Sequence, residues 1–236
     1  YFVRSNKEPN NRIYLRLAVN TGSANEDDDQ KGIAHFIEHM CFNGTKHFEK
    51  GRLTNYFESI GMKFGPEVNA YTNMEETVYM LEIPADNPEF LDNALTILND
   101  WACAVSFDHE EIDKERGVVI EEIRSNSGLD GRRSRALLPF LYKGSKYEDR
   151  ITLGDPEIIK NISYERITDY YNKWYRPELM SVVVVGDFNS EEMVAKVKET
   201  MSSVPASKKA ITRSEYPVPV RTGKDILFFK DAEQPY

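Results

Sequence analysis

At 236 residues, with 40% hydrophobic and 29% charged side chains, the chain can bury a sizeable core as one large domain or two small ones. A formal charge of −9 and a pI near 5.1 argue against the basic surface that nucleic acids and anionic membranes select, so neither is an expected partner. Cys41 and Cys103 are too few for a disulfide framework or a cysteine-rich zinc knuckle, and no apolar run approaches the roughly 18 residues of a membrane span.

In chain order, residues 12–19 alternate polar and apolar side chains, the period-two pattern of a half-buried strand. Residues 21–30, with Gly22 and the acidic run Glu26, Asp27, Asp28 and Asp29, read as a surface loop. That loop sets negative charge ahead of a helix over about 31–40, where the helix dipole favours it. A short helix is expected over 52–60, closed by Gly61, and a strand over 77–83 that Pro84 ends. A longer helix over 87–105 carries Phe90, Leu91, Ala94, Leu95, Leu98 and Ala102 at three- and four-residue intervals, a core-facing stripe. Asp108 is placed to cap a further helix running to about 127. The glycines and arginines of 128–135 read as a loop or mobile crossover. Then come a helix over 164–175 halted before Pro177, a strand over 180–186 and a helix from 191, with Asn189 and Glu192 as a capping box. A final strand is expected over 225–230. Strands mixed with paired helices, without strict βαβ repetition, predict an α+β fold with helices packed on one sheet face.

The chemistry is concentrated in Gly32-Ile33-Ala34-His35-Phe36-Ile37-Glu38-His39-Met40. Two of the chain's four histidines, His35 and His39, are four apart, so both imidazoles share a helix face and one metal ion can bind both. Glu38 lies close to that face, near enough to take a proton from a metal-activated water while leaving the ion to the histidines. The bland alternative is a polar helix face carrying two histidines by coincidence. A catalytic zinc needs a third protein ligand and one open position. Glu115 and Glu122 are seven apart and share a helix face; one of them can bind the ion while the other orients a histidine. His47 and His109 read as solvated or structural, and Cys41, directly after the metal helix, as small buried packing with contact to the site as the alternative.

His35-Phe36-Ile37-Glu38-His39, followed downstream by Glu115 and Glu122, resembles the insulinase/pitrilysin family of zinc peptidases. The resemblance covers nearly the whole chain and is closest to long bacterial periplasmic members through residues 28–35 and 42–48. It implies a mitochondrial-processing-peptidase-like fold with a mixed, mainly antiparallel sheet, and one zinc ion per domain. It also implies Glu122 as the third ligand and Glu115, counted with Glu38 among the catalytic residues, as the group supporting the site, with Glu121 off the face. Asn69-Ala70-Tyr71-Thr72 resembles the family's substrate-holding edge strand, which makes Asn69, Ala70 and Tyr71 expected substrate-binding residues, and 183–187 resembles a later buried strand and turn. The 83-residue step from His39 to Glu122 is longer than in many relatives, so a loop insertion is implied, with Glu76 as the fallback ligand.

The expected protein is a zinc metalloendopeptidase acting on peptides or unfolded segments, with a Gram-negative periplasmic location favoured by the resemblance. The chain opens without methionine and closes on Gln234-Pro235-Tyr236, so it is expected to be one catalytic domain truncated at both ends. Its parts would be a zinc-site half over 1–127, a connecting segment over 128–150 and a second half over 151–236. The expected partners are a peptide substrate and a C-terminal homologous half of the same protein, without which the fragment would cleave weakly or not at all. The competing readings are a non-catalytic chamber subunit and a domain in which zinc is structural.

Overall fold

The alternation of residues 12–19 is realised in a computed structural model, which describes residues 1–233, as strand β2 (Arg12–Val19). Its odd residues Ile13, Leu15, Leu17 and Val19 are buried and its even ones half-buried, because successive side chains leave a strand on opposite faces. Around it assemble β1 (Phe2–Ser5), β3 (Val68–Thr72), β4 (Thr77–Pro84) and β5 (Met180–Gly186), in the order β1-β5-β2-β4-β3. β2 pairs antiparallel with both β4 and β5, β3 pairs antiparallel with β4, and β1 lies parallel to β5. This is the expected mixed, mainly antiparallel sheet.

The helices are α1 (Ile33–Met40), α2 (Arg52–Ser59), α3 (Pro88–Cys103), α4 (His109–Ser125), α5 (Leu129–Leu141), α6 (Pro156–Asn161), α7 (Tyr164–Trp174) and α8 (Ser190–Met201). α1, α3 and α8 lie against the sheet and α7 against α1. The shared core includes Leu15, Leu17, Phe36, Ile37, Tyr79, Leu81, Leu98 and Trp101. Helix ends follow the local chemistry: Asp108 Oδ1 accepts from the N–H groups of Glu110 and Glu111, and Asn189 Oδ1 from those of Glu191 and Glu192. No helix among the described residues is long and apolar enough to cross a membrane.

Three expectations are corrected. Residues 128–135 are not a loop: α5 starts at Leu129, because its leucines, arginines and alanine favour a helix more than its glycines oppose it. Gly131 is needed there, since a Cβ would lie 1.7 Å from the Asn126 carbonyl oxygen. Residues 225–230 form no strand; a strand exists only as part of a hydrogen-bonded ladder, and Ile226 and Phe228 are exposed with no neighbour to pair. The acidic stretch is not all surface loop, since Thr21, Ser23, Asn25 and Glu26 are buried. Its exposed part is neutralised by cations from distant segments, with Arg166 holding Asp27 and Asp29, and Arg150 holding Asp28. β1 and α6 have no counterpart in the periodicity, being only four and six residues long. Residues 234–236 of the expected second half lie outside the described residues.

Candidate metal centre

α1 begins at a crossing of two glycines. Gly32, its N-cap, has φ +99° and Gly154 has φ +80°, and a Cβ on Gly154 would meet Gly32 Cα at 2.2 Å. Just inside, Glu26 Oε1 accepts the N–H groups of Gly32 at 3.1 Å and Ala34 at 2.9 Å, filling donors that a helix start leaves unpaired. Ile33, Phe36, Ile37 and Met40 then turn into the core, which brings His35 and His39 round to the other side, facing α4. α4 is seated by Ile112, Val119 and Ile123 in the core and by Arg116, whose guanidinium donates to the carbonyls of Ile159 and Ile162 at the end of α6. Glu115 and Glu122 therefore look towards α1.

His35 Nε2 lies 3.7 Å and His39 Nε2 3.3 Å from Glu122 Oε2, and one ligand atom from each of the three residues falls within 4.8 Å of the others. A tetrahedral zinc with bonds of about 2.0 Å separates its ligands by about 3.3 Å, so this two-histidine, one-carboxylate set fits the ion. It is also the donor type of catalytic rather than closed structural sites. His39 Nδ1 is bound to Glu115 Oε1 at 2.7 Å, so the two glutamates divide between the two nitrogens of this ring. His35 Nδ1 is buried and makes no hydrogen bond among the described residues.

The two histidines are tuned in opposite directions. Burial, with His39 nearby, pushes His35 down to about 4, so its ring is neutral and able to ligate at neutral pH. Burial pulls His39 the same way, yet the hydrogen bond to Glu115 and the charges of Glu115, Glu38 and Glu122 hold it above the usual histidine value. Burial acts against the charge on Glu115, but His39 and Asn43 keep it below the usual carboxylate range. Burial raises Glu38, while the hydroxyl of Thr72, donating to Glu38 Oε2 at 2.5 Å, opposes the rise.

The expected substrate residues separate. An open cleft of about 380 Å³ joins Glu38, His39 and Glu115 to Asn69, Ala70, Phe42, Phe64 and Val68. Asn69 Oδ1 accepts the N–H of Ala70 at 2.9 Å, on the edge strand β3. Tyr71 belongs to the opposite face from Thr72 and donates to Glu76 Oε1 at 2.7 Å. Glu76, held by Tyr71 and Asn73, is not in the metal-holding group. His47 is bonded to the buried Asp100, His109 stacks on Tyr164, and Cys41 is buried against the Tyr79 hydroxyl. Thr72 and Asn43 were not expected at the site, although both stand in segments that carry the family resemblance; neither residue type announces a role without its neighbours.

A sheet backed by a helix carrying His-x-x-Glu-His, with a glutamate completing the triangle from a second helix, defines a metallopeptidase-type centre. The chain belongs to the insulinase family: residues 1–149 match Insulinase (Peptidase family M16) and residues 161–236 match the Peptidase M16 inactive domain. It is 41% identical, over 93% of its own length and 24% of the relative's, to the probable zinc protease PqqL of Haemophilus influenzae. It resembles the crystal structure of the periplasmic protease PqqL from Escherichia coli with TM-score 0.87 and 36% identity, over 92% of this chain and 24% of that one. Against the structure of the first half of that protease the TM-score is 0.86 at 36% identity, over 92% of this chain and 46% of the other. The expected family, and the likeness to bacterial periplasmic zinc proteases, are borne out. The chain spans about a quarter of the length of these curated relatives.

Proposed function

We propose that this chain is the zinc-binding catalytic domain of an endopeptidase, with His35, His39 and Glu122 as ligands to one ion and Glu38 as general base. The convergence of the two Nε2 atoms and Glu122 Oε2, while His39 Nδ1 is engaged by Glu115, carries the reading. Bound there, zinc supplies Lewis acidity, lowering the pKa of a water to about 7 and polarising a peptide carbonyl.

The chain's own groups do the rest. Thr72 occupies Glu38 Oε2, so Oε1 takes the proton of the attacking water and passes it to the leaving amine. Burial, by raising Glu38, makes its carboxylate a better proton acceptor. The edge of β3 supports a substrate bound as an added strand: Ala70 turns its backbone to the free edge while Asn69 turns its own towards β4, so Ala70 offers the pairing groups and the Asn69 side chain lies beside them. Phe42, Phe64 and Val68 give the cleft an apolar wall against a substrate side chain.

The reading of residues 1–236 as one domain is supported by β5, which lies in the sheet between β1 and β2. A chain covering a quarter of its relatives needs further parts to enclose a peptide, including a C-terminal homologous half, and the fragment alone is expected to cleave weakly. The periplasmic description of the Escherichia coli relative supports the same compartment here. In the full-length protein, Glu38→Gln should retain one zinc while peptide hydrolysis falls by at least about 100-fold, the scale of a lost general base. Undiminished turnover would remove Glu38 from the role.

A further inference from the structure

Resting on the zinc reading above, we infer that Asn43 is a positioning residue that fixes the Glu115 carboxylate and thereby sets zinc affinity. Asn43 lies three residues beyond the last residue of α1, and its N–H donates to the Met40 carbonyl at 3.0 Å. Its side-chain Nδ2 donates to Glu115 Oε2 at 2.6 Å and to the His39 carbonyl at 3.3 Å. Both neighbours only accept hydrogen bonds, so the amide must present its NH₂ to them and not its oxygen. One side chain thus ties the end of α1 to α4. Glu115 has both oxygens committed, one to Asn43 and the other to His39 Nδ1, which restrains the ring with Nε2 towards Glu122. Losing such an outer partner costs roughly tenfold in metal affinity.

The test is competition for zinc between the full-length protein and a chromophoric chelator, with thermal unfolding of each metal-free variant as the check on folding. Asn43→Ala should weaken zinc about tenfold, and the near-isosteric Asn43→Asp, which sets an acceptor against Glu115, at least as much. In a Glu115→Ala background, Asn43→Ala should add no further loss, because the carboxylate it holds is gone. Wild-type affinity in both Asn43 variants, or a tenfold loss that persists without Glu115, would overturn the assignment. Failure of the unaltered protein to bind zinc would sink the zinc reading and this inference together, whereas normal wild-type binding with unaffected variants would sink this inference alone.

Discussion

The carboxylate of Glu26 is fully enclosed, with Oε1 on the start of α1 and Oε2 making no hydrogen bond among the described residues. Burial raises it to about 8 against the opposing backbone hydrogen bonds from Ala34 and Gly32. The folded state therefore keeps a proton that the unfolded chain gives up near the ordinary glutamate value. The contribution of Glu26 to stability should fall as pH rises from about 4.5 to 8, since at this group the folded state binds more protons than the unfolded state over that window. Glu26→Gln keeps an acceptor for the helix and abolishes the titration. Urea unfolding at pH 5.5 and pH 8 should show the variant gaining on wild type at the higher pH; an equal offset at both would mean that Glu26 is ionised when folded. Asp29, three residues on, behaves differently: Arg166 holds it below the usual range, and it stays in contact with solvent.

At the scale of elements, the position of α1 depends on two backbones meeting with no side chain between them. Gly154 would bring a Cβ to 2.2 Å from Gly32 Cα and 2.6 Å from the Lys31 carbonyl oxygen, and its φ of +80° also disfavours any other residue. Gly154→Ala should cost about 3 kcal/mol or more and shift the start of α1, adding backbone displacement to left-handed strain. Gly61 provides the control: its φ is +78° but a Cβ there would meet nothing within 4 Å, so Gly61→Ala should cost only about 1 kcal/mol. Thermal or denaturant unfolding of the pair separates crowding from strain, and equal losses would refute the crowding account. Gly32 lies in the recognised motif, whereas Gly154 is 122 residues further on and only the close approach gives it a role.

Across the whole molecule, the candidate site joins helices that nothing local holds together. His35 and His39 come from α1, Glu122 from α4, and the Glu38 partner Thr72 from β3 at the far edge of the sheet. An ion shared by α1 and α4 should stabilise the native state. At free zinc a hundredfold above its dissociation constant the gain is about 2.7 kcal/mol, roughly 5–10 °C in the thermal midpoint of a domain this size. Chelation should lower the midpoint by that amount in wild type and leave His35→Ala unmoved; a chelator effect that survives in His35→Ala would place the ion elsewhere.

The sequence alone determined the features whose cause is local. The period-two run of 12–19, the apolar stripe of α3 and the caps at Asp108 and Asn189 depend on spacing and on side chains within a few residues of each other. His35, Glu38 and His39 were legible for the same reason, because a helix fixes their relative directions before anything packs against it. Tertiary structure decided what distant segments do to one another. It brought Glu122 rather than Glu76 to the histidines, turned Tyr71 away while giving Thr72 to Glu38, and set Asn43 on Glu115. It buried Glu26 under α1 and left residues 225–230 without a strand to pair with. Burial and hydrogen-bond partnership are properties of the packed chain, so neither can be read from a residue and its sequence neighbours.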